Sequence, residues 1–528
     1  MATLLTLSDV VATHARLQPG KVAVRDSRRA LTYAQWDERA SRLANAFIEG
    51  LGLQRGDRVA VLAYNRLEWL EIYAGLARAG LVAVPINFRL LGPEIAYIVG
   101  HCEARALIVQ SELRDRVEAV AGEIAVDAAR RVELTAGADA RASVGWRGYE
   151  ALLAAASAAP PEVAVGDADL FALMYTSGTT GLPKGAMRSH GGNALIALVT
   201  ALEFGLTRGD TGLLVMPLCH ANSLYFGLTF AHLGATIVVD DRAHFDPEAL
   251  LATLARERVT FTSLVPTHYI MMLGLSTDVK ARHDTRAVDK LLISSAPARR
   301  DTKLAILEHF AGCRLFELYG STEAGWVSIL RPDEQLEHLG SVGREWVGSG
   351  PVRLLDPDGR EVPDGEVGEL YSRTPWVFDG YWKNPEKTAE AFRGAWCSVG
   401  DLARRDAQGY LHLVDRKSNM IISGGENIYP SEVEAVLATH PAVKDVAVVG
   451  LPDATWGEAV HAVVVLHDGR DASQTELIDW CRARLAGYKR PRAVSFVCEH
   501  ELPRTATGKV QHRVLRQRML AEAGVAQG

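Results

Sequence analysis

Apolar residues recur along the first part of the chain with two periods, one typical of helices and one typical of strands. Thr32 and Gln35 have the spacing of a helix capping box, and apolar side chains follow them at helical intervals. Segment 58–63 (RVAVLA) is a continuous apolar run typical of a buried strand. Segment 67–80 favours a helix and segment 81–86 favours the next strand. This order predicts a β-α-β unit with parallel strands.

The same alternation returns further along the chain. Three apolar segments, 234–240, 259–266 and 290–297, each end in a turn, where a doubly wound sheet places its ligand contacts. From 353 to 371 the pattern changes to short strands separated by DPDG and PDG turns. We therefore predict an α/β fold whose large N-terminal domain contains doubly wound sheets closed by a β-rich subdomain.

A second, smaller domain is predicted after residue 417. Its elements are a helix from Ser431, strands at 443–450 and 459–466, and a capped helix at 473–486. Because this α+β set is self-contained, we predict domains at 1–417 and 418–528.

Length and composition agree with this division. The chain has 528 residues, more than the ~250–300 at which a single core stops growing. Hydrophobic residues make up 48% and charged residues 23%, which is typical of a globular protein. The formal net charge is -7 and there is no long basic run, so we expect small-molecule partners and no nucleic acid.

The cysteines and the start of the sequence bear on the compartment. Six cysteines are scattered without a CxxC or CxxH pairing, which argues against a disulfide framework or a structural zinc site. No basic and then apolar signal segment begins the sequence, and the longest apolar stretch, near 194–206, is short and carries Glu203. We expect a cytoplasmic protein without a membrane span, and leave open whether it forms a homodimer.

The strongest chemical signal is the segment 175–185, YTSGTTGLPKG. Its glycines let backbone N–H groups wrap a polyphosphate, and its hydroxyl residues together with Lys184 add further donors. It is not a Walker A loop, because Pro183 stands where that motif requires its second glycine, five positions after Gly178. The alternative is a solvent-exposed loop that is merely rich in Gly and Thr.

A second signal is the segment 316–325, FELYGSTEAG. Tyr319 offers a flat face for a purine, Thr322 a hydroxyl for a phosphate, and Glu323 a hard carboxylate for Mg²⁺. A Glu after a turn is more often a solvated charge than a metal ligand, so this segment gains weight only beside the first.

Five segments together resemble a known superfamily. They are YTSGTTGLPKG (175–185), YGSTEAG (319–325), SVGD (398–401), GYLHLVDRKSNMIISGGENIYP (409–430) and PRTATGK (503–509). In order and spacing, over nearly the whole chain, they resemble the adenylate-forming superfamily. ISGGENIYPSEVE and LPRTATGK are most similar to the fatty-acyl and aryl CoA ligases of its acyl-CoA synthetase branch.

The resemblance implies an ATP-dependent carboxylic acid:CoA ligase that uses ATP, Mg²⁺ and coenzyme A. Such an enzyme forms acyl-AMP and pyrophosphate, then acyl-CoA and AMP after its small mobile C-terminal domain has rotated. Ser418 stands where relatives usually have Asp or Lys as the pivot, so Ser418 or its neighbour Lys417 is the expected hinge.

The resemblance also implies roles for individual residues. The β- and γ-phosphates would be held by Thr176, Ser177, Gly178, Thr179, Thr180 and Lys184, and Mg²⁺ by Glu323 and Thr176. The adenine would be framed by Ser295, Ala296, Pro297, Tyr319 and Gly320, the ribose bound by Asp401 and Arg416, and the pantetheine path lined by Ser423, Gly424 and Gly425. Thr322 would contact the α-phosphate, and Lys509 would bind the α-phosphate and the carboxylate during adenylation.

His220 is a further catalytic candidate, since relatives often have a His or aromatic residue there between the acyl pocket and the thiol tunnel. A lone His is also commonly a satisfied polar group near the core. Cys219 beside it is expected to be a buried filler, because the mechanism needs no protein nucleophile.

The acid itself is not specified by these motifs. Its pocket is expected from segments 221–228 and 294–296 and from the stretch around Trp326. No Arg or Lys is evident there for a second carboxylate, so we expect a fatty or aromatic monocarboxylic acid.

Three alternatives share some or all of these motifs. A stand-alone enzyme could load a carrier-protein thiol, although no carrier domain follows Lys509 in this sequence. A luciferase-like oxygenase would differ by light emission with luciferin. A non-catalytic binding protein would be expected to lack Lys509, Glu323 or the phosphate loop, and all three are present.

Overall fold

The protein divides into two compact units. The computed structural model describes residues 5–135, 137, 141–176, 182–294, 298–423, 426–453, 455–482, 484–505 and 508–522. The large unit comprises Met1–Val352 and Ser372–Cys397, and the small unit comprises Arg353–Tyr371 and Ser398–Gly528. The predicted domain boundary at 417/418 stays a prediction.

The strands up to residue 355 are, in chain order, β1 (Val22–Arg25), β2 (Ala30–Thr32), β3 (Arg58–Leu62), β4 (Val82–Ile86), β5 (Ala104–Gln110), β6 (Arg131–Leu134), β7 (Arg147–Gly148), β8 (Leu170–Thr176), β9 (Lys184–Ser189), β10 (Thr211–Leu214), β11 (Thr236–Val239), β12 (Phe261–Leu264), β13 (Lys290–Ser294), β14 (Arg314–Ser321), β15 (Gly325–Leu330), β16 (Arg344–Glu345) and β17 (Val352–Leu355). The later strands are β18 (Val367–Ser372), β19 (Phe392–Arg393), β20 (Trp396–Cys397), β21 (Asp401–Arg405), β22 (Leu411–Arg416), β23 (Ile421–Ser423), β24 (Glu426–Ile428), β25 (Val443–Asp453), β26 (Gly457–Leu466) and β27 (Ala493–Phe496).

The α-helices are α1 (Leu7–Leu17), α2 (Tyr33–Asn45), α3 (Glu68–Arg78), α4 (Gly92–His101), α5 (Arg114–Glu118), α6 (Tyr149–Ala155), α7 (His190–Phe204), α8 (Ala221–Leu233), α9 (Pro247–Arg256), α10 (Pro266–Leu273), α11 (Thr277–Ala281), α12 (Arg300–His309), α13 (Pro385–Ala391), α14 (Pro430–Leu437), α15 (Gln474–Arg482) and α16 (His512–Glu522). A π-helical turn, Ala46–Gly50, continues α2, and short 3₁₀ turns occur at Ser111–Leu113, Ala128–Arg130, Gly487–Lys489 and Glu499–Glu501.

One sheet of the large unit has the strand order β7-β6-β5-β3-β4-β8-β9. Its pairs are parallel except β8 with β9 at the edge. The predicted β-α-β unit is confirmed as β3, α3 and β4, and every residue of β4 is buried. The capping box is confirmed too, because the Thr32 hydroxyl accepts from the Gln35 N–H and the Gln35 side chain accepts from the Thr32 N–H.

The second sheet of the large unit has the order β16-β15-β14-β13-β12-β10-β11-β1-β2. Its strands from β14 through β1 are parallel, and the antiparallel pairs lie at its two edges. The three apolar segments predicted as strands form β11, β12 and β13. Parallel neighbours end at the same edge of a sheet, so the last residues of β12, β13 and β14 lie side by side.

The small unit is α+β, as predicted. Its strands β17, β18, β21 and β22 are neighbours in one sheet, with antiparallel pairs between β18 and β21 and between β21 and β22. A second sheet has the order β24-β23-β26-β25, with β27 parallel to β26. A core of Val and Leu side chains, including Val448, Val464 and Leu477, lies under α14 and α15. The fold class is therefore confirmed as a large α/β unit with a smaller α+β unit.

Candidate functional site

The two described ends of the segment predicted to bind phosphate belong to strands β8 and β9, an antiparallel pair at the edge of the seven-stranded sheet. Thr176 ends β8 and Lys184 begins β9, and the antiparallel register pairs these two residues directly. The loop residues Ser177, Gly178, Thr179 and Thr180 lie outside the described residues. The Lys184 ammonium nitrogen is 4.2 Å from the ring centroid of Tyr381.

Glu323 lies in the tight turn between β14 and β15, at the edge of the other sheet. A β-carbon on Gly320 would lie 2.3 Å from the carbonyl oxygen of Gly325, and Gly325 itself has a φ of +68°. These two glycines therefore permit a turn that other residues would strain. The turn also contains Thr322, and it leaves the Glu323 side chain buried at 7% exposure.

The two hairpins meet at the Glu323 carboxylate. Its Oε1 accepts a hydrogen bond of 3.1 Å from the Thr176 hydroxyl and one of 2.9 Å from the Tyr381 hydroxyl. Thr176 and Glu323, both predicted to hold Mg²⁺, are thus adjacent although 147 positions separate them in the chain. The roles of Thr176 and Glu323 in holding Mg²⁺ stay predictions.

Arg188 stabilises the turn that contains Glu323, and no motif of the sequence pointed to it. Its guanidinium donates hydrogen bonds of 3.3 Å to the carbonyl oxygens of Thr322 and Glu323. It also lies 5.4 Å from the ring centroid of Tyr225 and is only 1% exposed. An Arg at a strand position of β9, where an apolar residue would be expected inside a sheet, was the available signal.

Residues 378–382 contact both hairpins through backbone hydrogen bonds. The Phe378 N–H donates to the Glu323 carbonyl oxygen at 2.8 Å, and the Trp382 N–H donates to the Gly185 carbonyl oxygen at 2.8 Å. Tyr381 forms an antiparallel bridge with Ala186 of β9. This segment therefore fixes Tyr381 between the two hairpins.

The predicted adenine residues are only partly described. Tyr319 and Gly320 lie near the end of β14, and Tyr319 is buried at 8% exposure. Ser295, Ala296 and Pro297 follow β13 and lie outside the described residues. Ser294, the last residue of β13, accepts a hydrogen bond of 3.1 Å from the Asn222 amide.

His220 caps the N-terminus of α8 with its backbone rather than its side chain. Burial lowers the pKa of His220 to about 4, and the Arg89 charge contributes to the same direction. Arg89 acts in the same way on His268, whose pKa burial lowers to about 4. Both imidazoles are therefore neutral at pH 7, and the His220 Nε2 has no hydrogen-bond partner among the described residues.

Cys219 is a buried filler, as predicted. Its side chain is 6% exposed, and burial raises the pKa of the thiol to about 12. A thiol that stays protonated at pH 7 is a poor nucleophile.

In the small unit, the register of β21 and β22 places Asp401 opposite Arg416. The Arg416 Nε lies 3.0 Å from the Asp401 Oδ1, and Asp401 is buried at 8% exposure. Loss of hydration lowers the pKa of Lys509, Arg416 lowers it further, and the Asp401 and Asp415 carboxylates oppose both. The small unit thus brings together the residues predicted for the ribose and for the adenylation step.

Ser423 and the predicted hinge also lie in the small unit. Ser423 ends β23 and is buried at 3% exposure, while Gly424 and Gly425 after it lie outside the described residues. Ser418 is exposed in the turn between β22 and β23, and Lys417 beside it forms an ion pair of 2.9 Å with Glu369. The hinge at Ser418 stays a prediction.

Two features are absent from the described residues. No group of three His, Cys, Asp or Glu side chains is arranged there to hold a metal ion by itself. No helix within the described ranges has the length and apolar character needed to cross a membrane.

Comparisons with known proteins cover both units. Residues 11–382 match the family model described as AMP-binding enzyme, and residues 432–509 match the AMP-binding enzyme C-terminal domain. A feruloyl-CoA synthase from an Amycolatopsis species is 39% identical over 506 residues, which cover 96% of this chain and 97% of the relative.

Solved structures agree with that match. The anthranilate CoA ligase AuaEII in complex with anthranoyl-AMP has a TM-score of 0.87 at 29% identity, with 99% of both chains covered. The o-succinylbenzoate coenzyme A synthetase of Bacillus subtilis in complex with ATP and magnesium ion has a TM-score of 0.83 at 28% identity, covering 96% of this chain and 98% of that one.

Proposed function

This chain belongs to the family of AMP-binding enzymes, and we propose that it is an ATP-dependent ligase that joins a compact aromatic monocarboxylic acid to coenzyme A. It forms an acyl-AMP with release of pyrophosphate and then exchanges AMP for the coenzyme A thiol. The observation that carries the proposal is the convergence of Thr176, Lys184 and Glu323 around Tyr381. Two hairpins from different sheets bring a cation and a carboxylate together beside the predicted phosphate loop.

The chemistry requires such an arrangement. A carboxylate that attacks the α-phosphorus of ATP brings two anions together, so the site must neutralise charge as the pentavalent arrangement forms. We assign Lys184 to the β- and γ-phosphates and Thr322, on the turn held by Arg188, to the α-phosphate. No protein nucleophile takes part, which agrees with the inert Cys219.

The donor set suits Mg²⁺. The Thr176 hydroxyl and the Glu323 carboxylate are hard oxygen donors 3.1 Å apart. Mg²⁺ is usually held by one or two carboxylates together with substrate phosphates rather than by a full protein cage. We propose that Glu323 and Thr176 hold the ion, which when bound would neutralise phosphate charge.

We assign the remaining roles to residues of the small unit. We assign Asp401 to the ribose hydroxyls, because a carboxylate can accept two hydrogen bonds, and Arg416 to the same sugar and to the orientation of Asp401. Lys509 supplies positive charge to the α-phosphate and the acid in the first half-reaction only. Ser423, with Gly424 and Gly425, is assigned to the pantetheine path of the second half-reaction.

The packing behind the site favours a compact acid. Tyr225 on α8 and Trp326 on β15 contact each other edge to face with ring centroids 5.1 Å apart. They are 0% and 5% exposed, and we propose that they close the acyl pocket against a long alkyl chain. The relative with 39% identity is named for ferulate, an aromatic monocarboxylic acid, which supports the same choice.

Asn222 on α8 suits an acid whose ring carries a polar substituent. The Asn222 amide nitrogen is 3.1 Å from the hydroxyl oxygens of both Ser263 and Ser294. Its amide oxygen is buried and has no hydrogen-bond partner among the described residues. A hydroxyl or amino substituent on the acid would satisfy it.

The test is a substrate panel. The purified enzyme is incubated with ATP, Mg²⁺ and hydroxycinnamates, benzoates, arylacetates, octanoate or palmitate, and the acyl-AMP is trapped with hydroxylamine. We expect an aromatic acid to give the highest kcat/KM, with AMP and pyrophosphate formed in equal amounts and the thioester appearing once coenzyme A is added. A preference for palmitate would contradict the choice of acid, and ADP formation would contradict the reaction.

The cellular location and the oligomeric state of this enzyme can also be proposed and tested. We propose a cytoplasmic location, since all six cysteines lie within the described residues and are unpaired, as in a reducing compartment. A homodimer is tested by sedimentation of the purified protein: a mass of twice 57.3 kDa supports it, and a monomer mass rejects it.

A further inference from the structure

Tyr381 contacts two of the proposed ATP-site residues at once, yet no motif of the sequence analysis includes it. Its hydroxyl donates to Glu323 Oε1 at 2.9 Å, and its ring face receives the Lys184 ammonium nitrogen at 4.2 Å from the centroid. The side chain is only 5% exposed. A phenol is well suited to both contacts, because its O–H donates to a carboxylate while its face attracts a cation.

The surrounding structure holds Tyr381 in this place. Its backbone bridges Ala186 of β9, and its N–H donates to the Thr388 hydroxyl at 2.9 Å. Its ring packs in a small buried cluster with Phe378, whose ring centroid is 4.8 Å away, and with Cys397. The side chain therefore cannot easily leave the Glu323 carboxylate.

The hydrogen bonds to Glu323 are one-sided. Thr176 and Tyr381 both donate to Oε1, whereas no described residue donates a hydrogen bond to Oε2. A carboxylate that is held through one oxygen presents the other in a defined direction. Partners of this kind, behind a metal ligand, commonly decide how well the ligand binds its metal.

We propose that Tyr381 is a positioning residue of the ATP site, whose hydroxyl orients Glu323 toward Mg²⁺ and whose ring face positions Lys184 toward the polyphosphate. This inference rests on the proposed function. It assigns the two contacts to separable parts of one side chain, so substitutions can test each contact alone.

The first test is Tyr381→Phe, which keeps the ring and removes only the hydroxyl. We expect the affinity of the enzyme for Mn²⁺ in the presence of a non-hydrolysable ATP analogue, measured by electron paramagnetic resonance, to fall about 10-fold. The Mg²⁺ concentration for half-maximal ATP–pyrophosphate exchange should rise by a similar factor. Thioester formation from supplied acyl-AMP should stay within about 2-fold of wild type, because that step uses no polyphosphate.

The second test is Tyr381→Leu, which also removes the ring. We expect the loss in Mn²⁺ affinity seen with Tyr381→Phe and, in addition, a rise of about 5-fold or more in the KM for ATP at saturating Mg²⁺. That additional rise should be absent when Lys184 is already replaced by Met. An equal rise in the Lys184→Met background would overturn the role assigned to the ring.

The matched control is Tyr269→Phe. Tyr269 is 0% exposed, and its hydroxyl donates to the Leu292 carbonyl oxygen at 3.1 Å rather than to a residue assigned to Mg²⁺ or the polyphosphate. Both Phe variants lose one buried hydrogen bond, so thermal unfolding should report comparable destabilisation. The proposal is overturned if Tyr381→Phe binds Mn²⁺ as wild type does, or if Tyr269→Phe shows the same loss. Failure of the wild type to exchange pyrophosphate with any acid would instead refute the proposed function.

Discussion

Single residues decide the charge of the site, and Glu323 illustrates how. A carboxylate at 7% exposure without partners would be costly, but the hydroxyls of Thr176 and Tyr381 satisfy one of its oxygens. The same cost of burying a charge lowers the pKa of His220, so its imidazole is neutral at pH 7. The Glu323 carboxylate is thus stabilised by hydrogen bonds, and the His220 imidazole is uncharged at pH 7.

Lys509 provides a prediction at this scale. Replacing Lys509 with Ala should remove about 3 kcal/mol of transition-state stabilisation, so adenylation measured by ATP–pyrophosphate exchange should fall at least ~100-fold. Thioester formation from supplied acyl-AMP should persist, because we assign Lys509 to the first half-reaction only. Lys444→Ala is the control, since Lys444 is exposed in the same unit and pairs with Glu499. Equal loss of both half-reactions in a folded Lys509→Ala enzyme would reject this division.

His220 provides a prediction about pH. The pKa of His220 is about 4 in the folded protein, against about 6.5 for an unfolded histidine. Between these values the unfolded chain binds the extra proton, so stability should fall as the pH drops from 6.5 towards 4. In His220→Phe, the loss of unfolding free energy between pH 7.5 and 5.0 should shrink by up to about 2 kcal/mol. Urea unfolding followed by tryptophan fluorescence measures this, and His500→Asn, at an exposed position, should leave the pH dependence unchanged.

Elements rather than residues set the distances between these groups. The hairpins β8–β9 and β14–β15 are antiparallel additions at the edges of two otherwise mostly parallel sheets. The segment 378–382 donates backbone hydrogen bonds to both hairpins, to Glu323 in the turn of β14–β15 and to Gly185 in strand β9. The site therefore depends on the shape of the β14–β15 turn.

Gly320 tests that dependence. A β-carbon there would lie 2.3 Å from the Gly325 carbonyl oxygen, so Gly320→Ala must displace the turn that contains Glu323. We expect a loss of about 1–3 kcal/mol of stability and a larger proportional loss of ATP–pyrophosphate exchange. Gly100→Ala is the control, because nothing lies within 4 Å of its added β-carbon and the position is in a helix. A Gly320→Ala enzyme with normal exchange would show that the turn tolerates displacement.

At the scale of the whole molecule, the predicted reaction needs two arrangements of one chain. Ser418 lies in an exposed turn of the small unit, and proline would fix its φ near −65° while restricting Lys417 before it. Ser418→Pro should therefore lower overall CoA ligation steeply while one half-reaction, adenylation or thioester formation from supplied acyl-AMP, survives. Separate assays of the two half-reactions identify which one.

Ala407→Pro is the matched control for the hinge. Ala407 is exposed in the turn between β21 and β22, next to Asp406, whose carboxylate accepts from the Gln408 N–H. Proline fits the second position of such a turn, so both half-reactions should stay near wild type. A folded Ser418→Pro enzyme that behaves like this control would place the pivot elsewhere, with Lys417 or Asn419 tested next.

The sequence by itself determined the elements and the motifs of this protein, because the signals for them are local. The capping box at Thr32 and the buried runs of β3 and β4 depend on residues within a few positions of each other. The family resemblance likewise followed from five contiguous segments, and the match of residues 11–382 to the AMP-binding enzyme family agrees with it.

Only the tertiary structure decided which side chains meet. Thr176 and Glu323 are 147 positions apart, and Tyr381 lies a further 58 beyond Glu323, so their hydrogen bonds depend on how two sheet edges pack. Arg188 is unusual for a strand position, but only the fold shows that its guanidinium donates to the carbonyl oxygens of Thr322 and Glu323. Periodicity and motifs report the path of the backbone, whereas such contacts arise from the packing of side chains between elements, which no local pattern encodes.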